Sequence, residues 1–352
     1  MRKVFGMLAA GLVAASVFFS AQTQAQTPAE HFKGRTLDVV VAFSNQGGGS
    51  RFWGIFSDAL RRQLPDTVIR TRFNDAGSGT SAANELFALP PGSLAVGFAR
   101  ATELAFAQAQ GHDDVRYDMS QAKWIQAVER TSHFMAGRRD LPLDIKALRN
   151  MKLVIPADEI GDTQTIASTM LNALTGIHGR IVVGFGGSER VRALVVGDAD
   201  LYTEAADEVN ELLDTGELVS VYVIGGGNNY STKVDQSRTL QTVLVPGAPA
   251  DVVDYVVAAR TLGRAFFAPP GVSDADAAIL RLAFEAATKD PELIAAATKN
   301  QVPLAYVPHE EVEQKLKLIL LTDPALKAAV EHTYDCGKQM SDGTLDQCDF
   351  SQ

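Results

Sequence analysis

Seven consecutive residues, Ser44-Asn45-Gln46-Gly47-Gly48-Gly49-Ser50, join hydroxyl and amide side chains to three glycines. Glycine lets a backbone come close to a ligand. Where a helix begins behind such a turn, its unpaired N–H groups and positive dipole end favour a carboxylate or phosphate. A second cluster, Asn74-Asp75-Ala76-Gly77-Ser78-Gly79-Thr80, has the same character, and Pro156–Thr163 and Gly184–Ser188 give two further turns. The chemistry these residue types support is anion capture by backbone dipoles. Gly184–Ser188 either holds the far end of a ligand or simply starts a helix.

Other chemistries lack their residues. Gly77-Ser78-Gly79-Thr80-Ser81-Ala82 matches the G-x-G-x-x-A dinucleotide pattern, but no convincing acidic residue stands at the next strand end. No G-x-x-x-x-G-K-[ST] loop is present. Ser188 sits in Gly186-Gly187-Ser188-Glu189-Arg190, which is not the hydrolase nucleophile elbow. The six histidines show no partner spacing, so no acid–base pair stands out and the chain reads as a non-enzyme. Asp158, Glu159 and Asp162 lack calcium-loop spacing and read as a solvated face, so neither a metal nor a cofactor is expected.

The elements that must carry these turns follow a regular order. Leu37–Phe43 is a short β-branched run of the kind buried on both faces of a sheet. Beyond Ser50, apolar residues at Phe52, Phe56, Ala59 and Leu60 fall at helical spacing. Thr67–Phe73 and Leu94–Ala99 predict two more strands, with a helix through Leu86 between them. This β–α alternation implies a doubly wound parallel sheet whose ligand lies beyond the carboxyl ends of the strands. Strands at Lys152–Ile155, Ile181–Val183 and Leu218–Ile224, with a helix over Gln164–Leu174, repeat the plan and predict a second domain. Leu262–Ala268 reads as a strand returning to the first.

Met1 to about Ala25 reads as a secretory signal peptide, with Arg2 and Lys3 before the apolar stretch Leu8–Phe19 and a small-residue cleavage site. That stretch is short for a membrane span. Its removal takes two basic residues and shifts the formal charge from -10 to -12. Such acidity argues against nucleic acid or an anionic membrane surface as partner. An exported, periplasmic protein with direct membrane insertion excluded is the expectation. Cys336 and Cys348, the two cysteines, lie in a polar tail, and an oxidising compartment makes a disulfide the simplest reading, with free thiols or a metal as alternatives.

From about Phe32 to Leu321 the chain resembles the periplasmic solute receptors of tripartite tricarboxylate transporters. The resemblance rests on Val41–Gly49, Asn74–Gly79, Trp124-Ile125, Gly184–Ser188, Val196–Asp200, Pro269–Ser273 and Lys289–Glu292, in that order. It implies a two-lobed periplasmic binding protein of α/β class, type II-like, each lobe a mainly parallel sheet flanked by helices, with the ligand cleft between lobes. The lobes would be residues 32–130 with 251–352, and 131–250, with residues 334–350 as a disulfide-closed tail. It further implies a carboxylate held by Ser44, Asn45, Gln46 and Gly48 with Gly77, Ser78 and Gly79. The second lobe would add Gly161, Asp162 and Thr163, with Glu204 where receptors differ by ligand. Phe43 and Phe185 are candidates to line the space for an aromatic acid. Two departures stand out: Ser50-Arg51 follows the triple glycine where the family has a small or aromatic residue and aspartate, and the second loop lacks its proline. Arg51 either clamps a second carboxylate or is a solvated helix residue. The implied partners are a small mono- or dicarboxylate and membrane transporter subunits, or alternatively a signalling receptor.

Overall fold

The computed structural model describes residues 27–350 apart from Gly187, Asn228, Asn229 and Gln301, so the expected leader, residues 1–25, lies outside it. The chain opens with α1 (Pro28–His31), β1 (Thr36–Val41), α2 (Gly48–Gln63), β2 (Val68–Phe73), α3 (Thr80–Phe87), β3 (Ala95–Arg100), α4 (Ala101–Ala109) and β4 (Lys123–Ala127). It continues through β5 (His133–Arg138), α5 (Ile145–Arg149), β6 (Leu153–Pro156), α6 (Thr163–Thr175), β7 (Gly179–Val182), α7 (Glu189–Val196), β8 (Leu201–Ala205), α8 (Ala206–Thr215) and β9 (Leu218–Gly225). The return consists of α9 (Ala250–Thr261), β10 (Arg264–Ala268), α10 (Asp274–Thr288), α11 (Pro291–Lys299), β11 (Val307–Pro308), α12 (His309–Ile319) and α13 (Pro324–Ser341).

The first lobe is a six-stranded sheet in the order β11-β4-β10-β3-β1-β2. β1 runs parallel to β2 and β3, whereas β10 is antiparallel to both β3 and β4. β1 is buried on both faces. Leu37, Val39 and Val41 pack with Phe52, Trp53 and Phe56 of α2 and with Phe98, Phe266 and Phe284, while Val40 belongs to the core on the opposite side. That two-sided burial explains why the strand reads as a continuous apolar run rather than an alternating one.

The second lobe pairs β6 with β7 in parallel and builds a separate antiparallel sheet, β8-β5-β9. Asp200 joins the two: its carboxylate accepts from the Val154 N–H at 2.7 Å, and its own N–H donates to the Val154 carbonyl at 2.8 Å. The α/β two-lobed plan therefore holds, but the parallel character is confined to β1, β2 and β3 and to β6 with β7. The sequence pattern fixes which segments are strands. Direction depends on where each connection re-enters the sheet.

The chain leaves the first lobe through residues 128–132 and re-enters it at Leu262, and the two crossings touch in an antiparallel bridge between Arg130 and Leu262. α9 packs against α12 on one side and against α6, α13 and β9 on the other, so it sits at the junction. Residues 251–352, expected together in the first lobe, are divided: α13 lies along α6 and β7 of the second. The Ile181 N–H donates to Ser341 Oγ at 2.8 Å across this contact. The tail is also less separate than its polar composition implies, because Cys336 and Met340 belong to α13 itself.

Cys336 and Cys348 form a disulfide, with Cα atoms 5.8 Å apart and a sequence separation of 12. Both are buried against Ala173 of α6 and Met340. Closing a loop of that length is worth roughly 3 kcal/mol in the chain-entropy model. The double variant Cys336→Ser/Cys348→Ser is expected to lose about that much in denaturant unfolding, and reduction of the native protein should reproduce the loss.

Candidate functional site

The two lobes enclose a cleft of about 2000 Å³. Pockets that bury a small ligand hold ~300–1000 Å³, so this cleft stands open. One wall is the loop after β1. Gly47 is the N-cap of α2 with extended backbone, and no side chain caps the helix. The first helical bond runs from the Arg51 N–H to the Gly47 carbonyl at 3.1 Å. The amides of Gly48, Gly49 and Ser50 have no acceptor among the described residues. A helix of 16 residues thus presents an unsatisfied N-terminus to the cleft. The loop is locked by Ser50, whose hydroxyl donates to the Ser44 carbonyl. Phe43 covers the first turn so tightly that a Cβ on Gly49 would stand 2.3 Å from its ring. The Phe43 ring in turn lies 5.1 Å from Phe98, with the Arg100 guanidinium 5.9 Å above it.

Beside it lies the loop after β2. Gly77, Ser78 and Gly79 adopt φ of 60°, 53° and 95° in succession. Ser78 and Leu321 are the non-glycine residues with positive φ among those described. A left-handed residue of this type costs on the order of 1 kcal/mol and is held by its surroundings. Here the Asn74 side chain accepts from the Ala76 N–H at 3.4 Å and donates to Ser81 Oγ at 3.1 Å, bracketing the turn.

The facing wall differs in a way that matters for charge. Asp162 caps α6, accepting from the N–H groups of Gln164 at 2.7 Å and Thr165 at 2.8 Å and from Thr165 Oγ1 at 2.6 Å. Burial raises its pKa, but those bonds and one from the Glu159 N–H outweigh it and hold the carboxyl below its ordinary value. Asp162 therefore stays charged and occupied by its own helix, which removes this terminus as a second anion cradle. Glu204 of β8 shows the opposite balance. Burial pushes its pKa up against the Ala205 N–H and the charge of Arg260.

Several arginines of the cleft are already neutralised. Arg264 pairs with Glu129 through Nε at 2.9 Å, Arg130 with Glu311 through Nη2 at 2.7 Å, and Arg100 with Glu103 at 3.2 Å. Arg51, Arg190, Arg192 and Arg260 have no carboxylate within 4.0 Å among the described residues. The Arg51 guanidinium bends back over the helix start, 4.0 Å from where a Gly48 Cβ would be.

Of the residues singled out from sequence, Phe43, Ser44, Gly48, Arg51, Ser78, Asp162, Thr163 and Glu204 border the cleft. Asn45 and Gln46 are exposed in the same turn but do not border it. Gly77, Gly79 and Gly161 shape the loops without lining the cleft. Phe185 packs against the second-lobe core and does not border the cleft, so it contributes no aromatic wall. Sequence reasoning passed over His133, Gln164, Arg190 and Arg260, all of which line the cleft. The available signal for Arg260 was a lone charge closing the apolar run Val256–Leu262. Among the described residues no group of three or more His, Cys, Asp or Glu side chains is placed to hold a metal ion.

Two α/β lobes joined by two crossing segments over an open polar cleft define the fold of the two-lobed periplasmic binding proteins. Among those, the fold is that of the TctC and Bug solute-binding structures. It is similar to a TctC solute-binding protein from Polaromonas, with TM-score 0.68 and 16% identity over 86% of this chain and 97% of that one. The R. palustris protein Rpa4515 with adipate gives TM-score 0.57 and 15% identity over 86% and 97%. MatC from Rhodopseudomonas palustris with bound malate gives 0.55 and 16% over 84% and 99%. These structural neighbours are binding or transport proteins. No protein-family model and no curated protein matches the sequence.

Proposed function

We propose that this chain is a periplasmic solute receptor of the tripartite tricarboxylate transporter type, a non-enzyme that captures a small organic carboxylate and delivers it to membrane transporter subunits. The observation that carries this reading is the uncapped N-terminus of α2, open to the cleft beside the left-handed Ser78 loop. A carboxylate placed there accepts from Gly48, Gly49 and Ser50 amides that otherwise lack partners, and the dipole supplies the charge complement. Asp162 is committed to its own helix, so of the two helix starts at the cleft the one at α2 is free to take an anion. Closure of the two lobes over the solute then buries it, with contacts in both lobes biasing the hinge. The leader-like N-terminus supports export, and the malate and adipate held by two similarly folded proteins are of the chemical class proposed here. Among the described residues no helix is long and apolar enough to cross a membrane.

The test is a thermal-unfolding screen of the mature protein against mono-, di- and tricarboxylates, with nucleotides and sugars as controls. A ligand at a hundred times its Kd stabilises by about 2.7 kcal/mol and must raise the midpoint with concentration. A shift confined to carboxylates, and weakened in Ser44→Ala/Ser78→Ala, is the expected result. A shift with a nucleotide or sugar instead overturns the proposal.

A further inference from the structure

Two groups of apolar side chains, one on each lobe, border the cleft away from the helix start that takes the anion. α2 turns one face to the cleft over two turns, from Gly48 through Arg51 to Gly54 and Ile55. Ile55, and Val302 from the loop after α11, pack against the edge of the first-lobe core and stay half-buried, with Pro303 beside Val302 in the cleft wall. On the other lobe α7 buries Ala193 and Leu194 in the core and turns Val191 and Val195 to the opening, one helical turn apart. α8 adds Leu212, half-buried at the same wall. Val195 is 38% exposed. A helix that faces water carries polar residues on its outer side, so apolar groups on two opposed walls mark a surface that another state covers.

Gly54 points to what covers it. It stands exposed inside α2, where glycine lowers helix stability relative to alanine, and a Cβ there would meet nothing within 4 Å. No neighbour in the open form accounts for a missing side chain. A closely seated helix does, because small residues let two helix axes approach. The size of the cleft requires such an approach. At about 2000 Å³ it is far larger than a small acid needs, so closing on one brings the walls together beyond the solute. Ile55 lies two turns past Gly48, about 10 Å along α2, and a small acid held at the helix start ends short of it. α8 is already close to the first lobe, since its Asn210 shares a smaller groove with Val302 and Pro303.

We propose that these residues form a closure seam that limits the length of the solute: Ile55, Val302 and Pro303 meet Val191, Val195 and Leu212 when the lobes close, and Gly54 is where α7 seats on α2. The inference rests on the lobe closure of the carboxylate-capture reading and adds to it what sets solute size. Two consequences separate a seam from a wall that touches the solute. Burying these side chains against each other stabilises the closed form whichever short acid is inside, so they raise affinity without choosing among short acids. An acid long enough to reach Ile55 holds the walls apart and forfeits that contact.

The experiment is cysteine trapping in the mature protein. Ile55→Cys is paired in turn with Val191→Cys, Val195→Cys and Leu212→Cys in a glutathione redox buffer, with and without adipate. The native disulfide stays out of the exchange, because Cys336 and Cys348 are each only 6% exposed. At least one pair is expected to crosslink within the chain, which requires Cα atoms to come within about 7 Å, and adipate should speed it about threefold or more. Asp66→Cys/Val195→Cys, with Asp66 exposed beyond the far end of α2, should not crosslink. Calorimetry gives the second readout. Ile55→Asn and Val195→Asn, neutral changes at partly exposed positions, should each weaken butanoate, hexanoate and adipate alike by about fivefold, and the double variant by less than the product. Native affinity should fall from hexanoate to decanoate. No crosslink in any pair, or asparagine variants that bind as the native protein does, overturns the seam and leaves carboxylate capture intact. Affinity that climbs steadily to decanoate also overturns it, because the apolar walls then hold the solute's tail. A protein that crosslinks but binds none of these acids keeps the seam and loses the capture reading, and one that does neither loses both.

Discussion

Gly48→Asp is expected to make the protein more stable and nearly blind to its ligand. Gly48 is the first residue of α2, and a Cβ there meets only the Arg51 guanidinium at 4.0 Å, so the side chain fits. A carboxylate in the first turn of an otherwise uncapped helix contributes about 0.5–1 kcal/mol through the dipole and the free amides. It also has Arg51 within reach. Those same amides are the ones assigned to the ligand, so the new carboxylate replaces the solute with a covalently attached competitor. Loss of the amides and repulsion between like charges together should cost about 100-fold in affinity, near 2.7 kcal/mol. Gly48→Ala is the control: it leaves the amides free and should bind within about threefold of the native protein. Calorimetric melting and ligand titration of the two variants read both effects. If Gly48→Asp binds as the native protein does, the anion site lies elsewhere in the cleft.

The parts of this molecule that sequence made legible are those where local chemistry decides structure. β1 and α2 follow directly from a β-branched run, a glycine turn and the stripe Phe52, Phe56, Ala59 and Leu60, all of which are buried. Two of the helices that went unread have little polar face. α9 reads Ala-Asp-Val-Val-Asp-Tyr-Val-Val-Ala-Ala-Arg-Thr, and burial against both lobes leaves little periodicity to detect. α4 is similarly alanine-rich, and α8 begins directly after β8 with no side-chain cap to announce it. Strand direction in the second lobe was hidden because β5 takes its neighbours, β8 and β9, from far along the chain. At the site the glycine loops were visible because glycine itself is the signal. Arg260 was not, because what marks it is an enclosed Nε with no acceptor among the described residues, which only the assembled lobes reveal. The same limit applies to Asp162, whose capping bonds to Gln164 and Thr165 distinguish a structural carboxylate from a ligand-facing one.

Where the C-terminal helix belongs is the other point on which sequence and structure part, and Gly337→Val tests it with the largest expected loss of stability. Gly337 lies in α13 where that helix crosses α6, and a Cβ there would stand 2.0 Å from the Thr169 carbonyl oxygen and 2.8 Å from its carbon. These are backbone atoms of a buried helix, so no side chain can turn aside to make room. Valine forces the helices apart by on the order of 1 Å or more, and overpacking of this kind costs about 3 kcal/mol. The neighbouring disulfide offers no rescue, because it joins Cys336 to Cys348 within the same terminal segment and does not tie α13 to α6. The separation would also draw Ser341 away from the Ile181 N–H at β7. Amide exchange should therefore rise in α6, β7 and α13, while β1, β2 and β3 keep their protection, a local opening rather than uniform unfolding. If exchange instead rises in β1, β2 and β3 and leaves α6 and β7 unchanged, α13 stabilises the first lobe, as its position after β10 led the sequence to imply. The junction helix α9 touches α6, α13 and α12 alike, so a loosened α13 should reach the hinge as well. Carboxylate affinity in Gly337→Val would then fall without any change at the amides that hold the anion.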